Sequence, residues 1–135
     1  MKTLVLLLLL TGATFGQAHS GTYDRIGKTR SHGGIAGIGD GEVTFRDIRR
    51  GKTKTLRFAI KVFGRREAPC LGELKGQAKW VDINTAEYNG DFNSETAAGC
   101  RLTFIFSGNR VIIREHECDD FHGASCDFEG TFRRR

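Results

Sequence analysis

The sequence predicts an all-β domain: a small antiparallel barrel or two-sheet sandwich of about eight strands, stapled by disulfides. Three observations lead there. Apolar and polar residues alternate with a period of two along most of the chain, glycine-rich connections separate the alternating runs, and an even set of cysteines follows an N-terminal export signal. Apolar residues nowhere recur at helical spacing for long enough to bury a helix face.

The first element is not part of the domain. Lys2 gives a positive start, Leu4 to Leu10 an unbroken apolar run, and Gly16-Gln17-Ala18 the small residues that a signal peptidase reads. Cleavage is expected after Ala18, with Gly16 as a second cut point. The apolar run is shorter than the roughly 20 residues a membrane-spanning helix needs, so no membrane span is expected. Residues 1–18 are therefore read as a signal peptide and 19–135 as a single β-domain, secreted or periplasmic.

Gly21-Thr22-Tyr23-Asp24 is a short candidate strand, and Ser31 to Gly41 a glycine-rich connection. Gly37-Ile38-Gly39-Asp40-Gly41 lacks the GxGxxG spacing and following helix of a phosphate cradle. Gly41 to Arg46 reads as the next strand. From Lys54 to Phe63, Leu56, Phe58, Ile60 and Val62 share one face, and Arg57 and Lys61 take the other. From Leu71 to Val81, Leu74, Ala78 and Trp80 alternate with Glu73, Lys75, Gln77 and Lys79. Gly72 and Gly76 fall on the inward face of that run, where glycine marks a barrel corner. Ala86-Glu87-Tyr88 is a short strand. Cys100 to Cys118 is the best hairpin, with Leu102, Phe104 and Phe106 leading to a turn at Ser107-Gly108-Asn109-Arg110 and Val111-Ile112-Ile113 returning. Asp127 to Phe132 is the last strand. Gly21-Thr22-Tyr23 echoes Gly130-Thr131-Phe132, which suggests that the two ends pair and close a barrel. Phe45, Phe58, Leu74, Trp80, Phe104, Phe106, Phe128 and Phe132 point inward, enough rings to fill a barrel this small.

Cys70, Cys100, Cys118 and Cys126 contain no CxxC pair, so two disulfides are expected rather than a zinc site or redox centre. Cys70–Cys100 with Cys118–Cys126 is the preferred pairing, because the second bond closes a compact polar loop, Asp119 to Ser125. The rival sets Cys100 against Cys118 across the hairpin.

For chemistry, the densest cluster is Glu115-His116-Glu117-Cys118-Asp119-Asp120-Phe121-His122. Its spacing matches neither an EF-hand nor HExxH, and no metal or cofactor is expected. His32 sits among glycines with no evident partner. No GxSxG elbow is present, Ser94, Ser107 and Ser125 lie in turn contexts, and no catalytic residues are assigned. The net charge of +5 falls by one with the loss of Lys2, short of a nucleic-acid binder's signature. Arg46, Arg49, Arg50, Lys52, Lys54 and Arg57 nevertheless form a basic stretch suited to contact with an anionic polymer, or to a solvated edge that resists strand pairing. The expected role is non-enzymatic binding of a protein partner outside the cytoplasm, with Asp119, Asp120, Phe121 and His122 as the loop that meets it. A small-ligand carrier is the alternative, and a small hydrolase the less favoured third.

A resemblance sharpens this. Cys70-Leu71-Gly72-Glu73-Leu74-Lys75-Gly76, Ala86-Glu87-Tyr88, Cys100-Arg101-Leu102-Thr103-Phe104, His122-Gly123-Ala124 and Phe128-Glu129-Gly130-Thr131-Phe132-Arg133 together resemble small exported bacterial β-barrel proteins. Some of these are similar to periplasmic lysozyme inhibitors. The likeness covers about half the chain and implies a barrel fold, an extracytoplasmic compartment and inhibition of a cell-wall hydrolase. The Ser-Gly-x-Tyr pattern of such inhibitors occurs here as Ser20-Gly21-Thr22-Tyr23, next to the cleavage site, where it reads as the first strand rather than as an inhibitory loop.

Overall fold

A computed structural model describes residues 19–26, 40–64, 70–90, 99–123 and 126–135. The expected signal segment, most of the glycine-rich connection with His32, and Ser94 and Ser125 lie outside them. The strands are β1 (Gly21–Ile26), β2 (Asp40–Arg50), β3 (Thr53–Phe63), β4 (Leu71–Trp80), β5 (Thr85–Tyr88), β6 (Arg101–Ser107), β7 (Arg110–His116) and β8 (Gly130–Arg134). A single helical turn, α1 (Asp119–His122), precedes β8. Each strand pairs with the next, and β1 pairs antiparallel with β8, so the eight strands form a closed barrel. Closure gives every strand a partner on both sides, which limits the open edge that could recruit another chain. Among the described residues, no helix is long and apolar enough to cross a membrane.

The period-two pattern becomes the wall of this barrel. Leu56, Phe58, Ile60 and Val62 of β3 are buried, and the residues between them face outward or are only partly covered. The β2–β3 and β6–β7 turns are two-residue links carrying Gly51 and Gly108, each at φ 58°, where glycine has no Cβ to clash. The seam is tied at its end: the Arg135 guanidinium donates to Asp24 at 2.8 Å and to Glu42 at 2.9 Å, bridging β8, β1 and β2.

Aromatic rings occupy the interior. Phe104 lies 5.1 Å from Phe45 and 4.9 Å from Phe58, and Phe58 lies 5.1 Å from Tyr88, mostly edge to face. Gly76 makes that stack possible, since a Cβ there would sit 2.7 Å from Cε2 of Tyr88. Tyr23 is fully buried at the other side of the stack, with its hydroxyl donating to the His19 carbonyl and accepting from Arg134 at 2.7 Å.

Candidate functional site

The acidic segment folds as a strapped turn across one end of the barrel. Phe121 N–H donates to the Cys118 carbonyl at 2.9 Å and Gly123 N–H to the Asp119 carbonyl at 2.7 Å, closing α1. Gly123, at φ 70°, ends it. The disulfides are Cys70–Cys126 and Cys100–Cys118, with Cα separations of 5.9 and 4.5 Å. The preferred pairing, Cys70–Cys100 with Cys118–Cys126, is therefore incorrect, and the rival Cys100–Cys118 bond is present. The ladder explains it: Arg101 faces His116, so one step further Cys100 meets the chain leaving β7. α1 then packs against the start of β4 through His122 and Gly72, and Cys126 beyond it bonds Cys70 just before that strand.

These straps hold the four proposed contact residues in two groups. Asp119 and Asp120 are exposed, Phe121 is half-buried against the core, and His122 is buried. Instead of presenting all four residues, the turn offers two carboxylates outward and anchors itself with the ring and the imidazole. Gly72 accommodates that anchor, because a Cβ there would collide with the Cβ of His122 and lie 2.7 Å from Val62.

Beneath α1 lies a network of buried charge. His122 Nε2 is 2.9 Å from Glu115 Oε1, its Nδ1 is 2.6 Å from the Gly123 carbonyl, and its ring stands edge-on to Phe128 at 4.8 Å. Glu115 Oε2 also accepts from Phe128 N–H at 2.7 Å. Beside it, Arg25 donates to the Asp127 carbonyl at 2.6 Å, approaches the Asp127 carboxylate at 3.6 Å, and stacks over Phe132. Burial pushes the Asp127 carboxyl up, and the Arg25 charge opposes it. No local pattern signals the contact of Arg25 with Asp127, which lie 102 positions apart. Glu115, Asp119 and His122 bring one possible metal-ligand atom each to within 4.8 Å of one another. In this arrangement His122 and Glu115 already satisfy each other and neighbouring backbone, as a structural network does.

At the opposite end, the His19 ring lies 4.5 Å from Trp80 and 4.7 Å from Phe106, and its backbone N–H donates to Asp47 at 2.9 Å. Lys54 sits over the Trp80 ring and pairs with Asp47 at 3.7 Å.

The two histidines titrate in opposite senses. Burial, only partly offset by Asp47, holds His19 below its ordinary value of 6.5. Burial also penalises the charged form of His122, but its bonds to Glu115 outweigh that and raise it above 6.5. The stabilisation from charged His122 is complete below pH 6.5 and is lost as pH rises through its raised pKa. The cost of charging buried His19 grows as pH falls below 6.5. Unfolding free energy should therefore peak near pH 6.5, and His122→Gln should flatten the alkaline side only. Chemical denaturation between pH 5 and pH 9 checks this; an unchanged alkaline slope in His122→Gln would refute it.

No protein-family model, curated protein or solved structure matches this chain.

Proposed function

We propose that this chain is a non-enzymatic extracytoplasmic binding protein that inhibits a cell-wall hydrolase such as lysozyme, with α1 as its contact. The observation that carries the reading is the placement of exposed Asp119 and Asp120 on a turn held by both disulfides and by buried His122. A pre-ordered turn loses little conformational entropy on binding, and its acidic face complements a basic enzyme despite the positive net charge of the chain. The disulfides suit an oxidising compartment. With cleavage after Ala18, the His19 nitrogen would become a charged amine against Asp47, strengthening the contact already present. The aromatic stack in the interior favours this reading over a small-ligand carrier. Glu115 and Asp127 are committed to His122 and Arg25, which disfavours a carboxylate-pair hydrolase.

The test is lysis of bacterial cell walls by several lysozyme types, with and without equimolar mature protein at micromolar concentration. Inhibition of at least one type is expected, and Asp119→Asn with Asp120→Asn should relieve it by about tenfold or more. Ser20→Ala should change little, because Ser20 accepts from Asp47 N–H at the base of β1 and is not part of α1. Failure to inhibit any type would end the inhibitor reading.

A further inference from the structure

Away from α1, a groove of about 1180 Å³ crosses the outer face of β2, β3 and β4. Its walls carry Arg46, Arg57, Lys75 and Lys79 against, among the described residues, one carboxylate, Glu87, which faces Lys79 across β4 and β5. Lys75 is paired with Glu73 at 3.1 Å, so the unbalanced charge rests on Arg46 and Arg57, with Lys79 at the edge opposite Glu87. The strand register sets Arg46 directly opposite Arg57, and Arg57 directly opposite Gln77.

Like charges facing each other across a ladder destabilise a sheet. Some cations elsewhere on this barrel are matched, Lys54 to Asp47, Lys61 to Glu73, and Arg135 to Asp24 and Glu42, whereas Arg110 and Arg133 also face each other, across β7 and β8, but do not line this groove. Arg46 and Arg57 are exposed and have no carboxylate within ion-pair distance among the described residues. A bound anion would relieve such a repulsion inside a concave surface. Two adjacent guanidinium forks present the parallel donors that bind carboxylate or sulfate in a bidentate manner. Ala59 and Gly76, both small, line the groove beside them and Lys75 and leave room for an extended chain. The rings in the lining, Phe45 and Phe58, are buried in the core, so among the described residues the groove offers no stacking platform for nucleobases.

We propose that this groove binds a linear acidic polysaccharide, with Arg46 and Arg57 clamping one uronate or sulfate group and Gln77 bonding neighbouring hydroxyls. The site lies beyond the inhibitor reading and shares with it only the extracytoplasmic setting, where such polymers occur.

The test is titration calorimetry of the mature protein with polygalacturonate, dextran sulfate, neutral dextran and single-stranded DNA at roughly 0.15 M salt. Binding to polygalacturonate, dextran sulfate or both is expected, weakening as salt rises, with none to neutral dextran. Which acidic polymer binds distinguishes uronate from sulfate recognition. Arg46→Ser with Arg57→Ser should weaken binding tenfold or more and leave the melting temperature unchanged or raised. Arg49→Ser with Arg50→Ser removes the same charge at the β2–β3 turn and should stay within twofold of the parent. The proposal is overturned if neither acidic polysaccharide binds, if the turn variant loses as much as the groove variant, or if DNA binds as tightly as the polysaccharides. The groove variant should inhibit lysozyme as the parent does, so the two readings fail in separate assays.

Discussion

Glu115→Ala is expected to destabilise the barrel by about 3–5 kcal/mol, because it removes one partner from a buried charge network. The Glu115 side chain is 13% exposed, and that of His122 only 1%. Its two oxygens serve His122 Nε2 and Phe128 N–H, so truncation leaves a buried imidazole nitrogen and a backbone donor unpartnered together. Glu115→Gln keeps an acceptor for Phe128 but loses the charge facing His122, and should fall between parent and alanine variant. Glu73→Ala, which breaks the exposed pair with Lys75, should leave stability nearly unchanged. Urea unfolding with an unchanged slope measures all three. A loss below about 1 kcal/mol for Glu115→Ala would mean that water enters beneath α1 and satisfies these groups, so that the turn is not anchored as described.

Cys70→Ser with Cys126→Ser should cost about 4 kcal/mol, against about 3 kcal/mol for Cys100→Ser with Cys118→Ser, on a chain-entropy basis. The difference follows from sequence separations of 56 and 18 residues, since the longer loop restricts the unfolded chain more. For a domain of this size the first loss lowers the melting temperature by on the order of 10–20 °C. Thermal melts of the two double variants give the ranking, and a smaller loss for the Cys70/Cys126 pair would contradict it. A non-reducing digest should join the Cys70 peptide to the Cys126 peptide. Recovery of Cys70 joined to Cys100 would overturn the topology around α1. Because Cys126 holds the far side of that turn, its loss should also weaken any inhibition that depends on Asp119 and Asp120.

The strands were legible because each is a local pattern. Leu56, Phe58, Ile60 and Val62 need only a period of two to be assigned to one face, and all four are buried. Closure was legible for a related reason: Gly21-Thr22-Tyr23 and Gly130-Thr131-Phe132 follow one design, and β1 does pair with β8. The last strand shows where local pattern stops. Asp127-Phe128-Glu129 alternates like a strand, yet β8 starts only at Gly130. The Asp127 carbonyl is taken by Arg25 of β1 and the Phe128 N–H by Glu115 of β7, so side chains from the two flanking strands replace the backbone ladder there. The cysteine pairing, the inward turn of His122 and the unmatched Arg46–Arg57 pair belong to the same class. The Cys70–Cys126 bond joins residues 56 positions apart, while the Arg46–Arg57 pair and the inward turn of His122 depend on exact register and turn path, which no periodicity announces. By itself the sequence determined which residues line the barrel wall and that its ends meet. Only the tertiary structure decided which charges are buried together, which are left facing each other, and which cysteines meet, because those depend on strand register and on the path of the chain over the barrel's end.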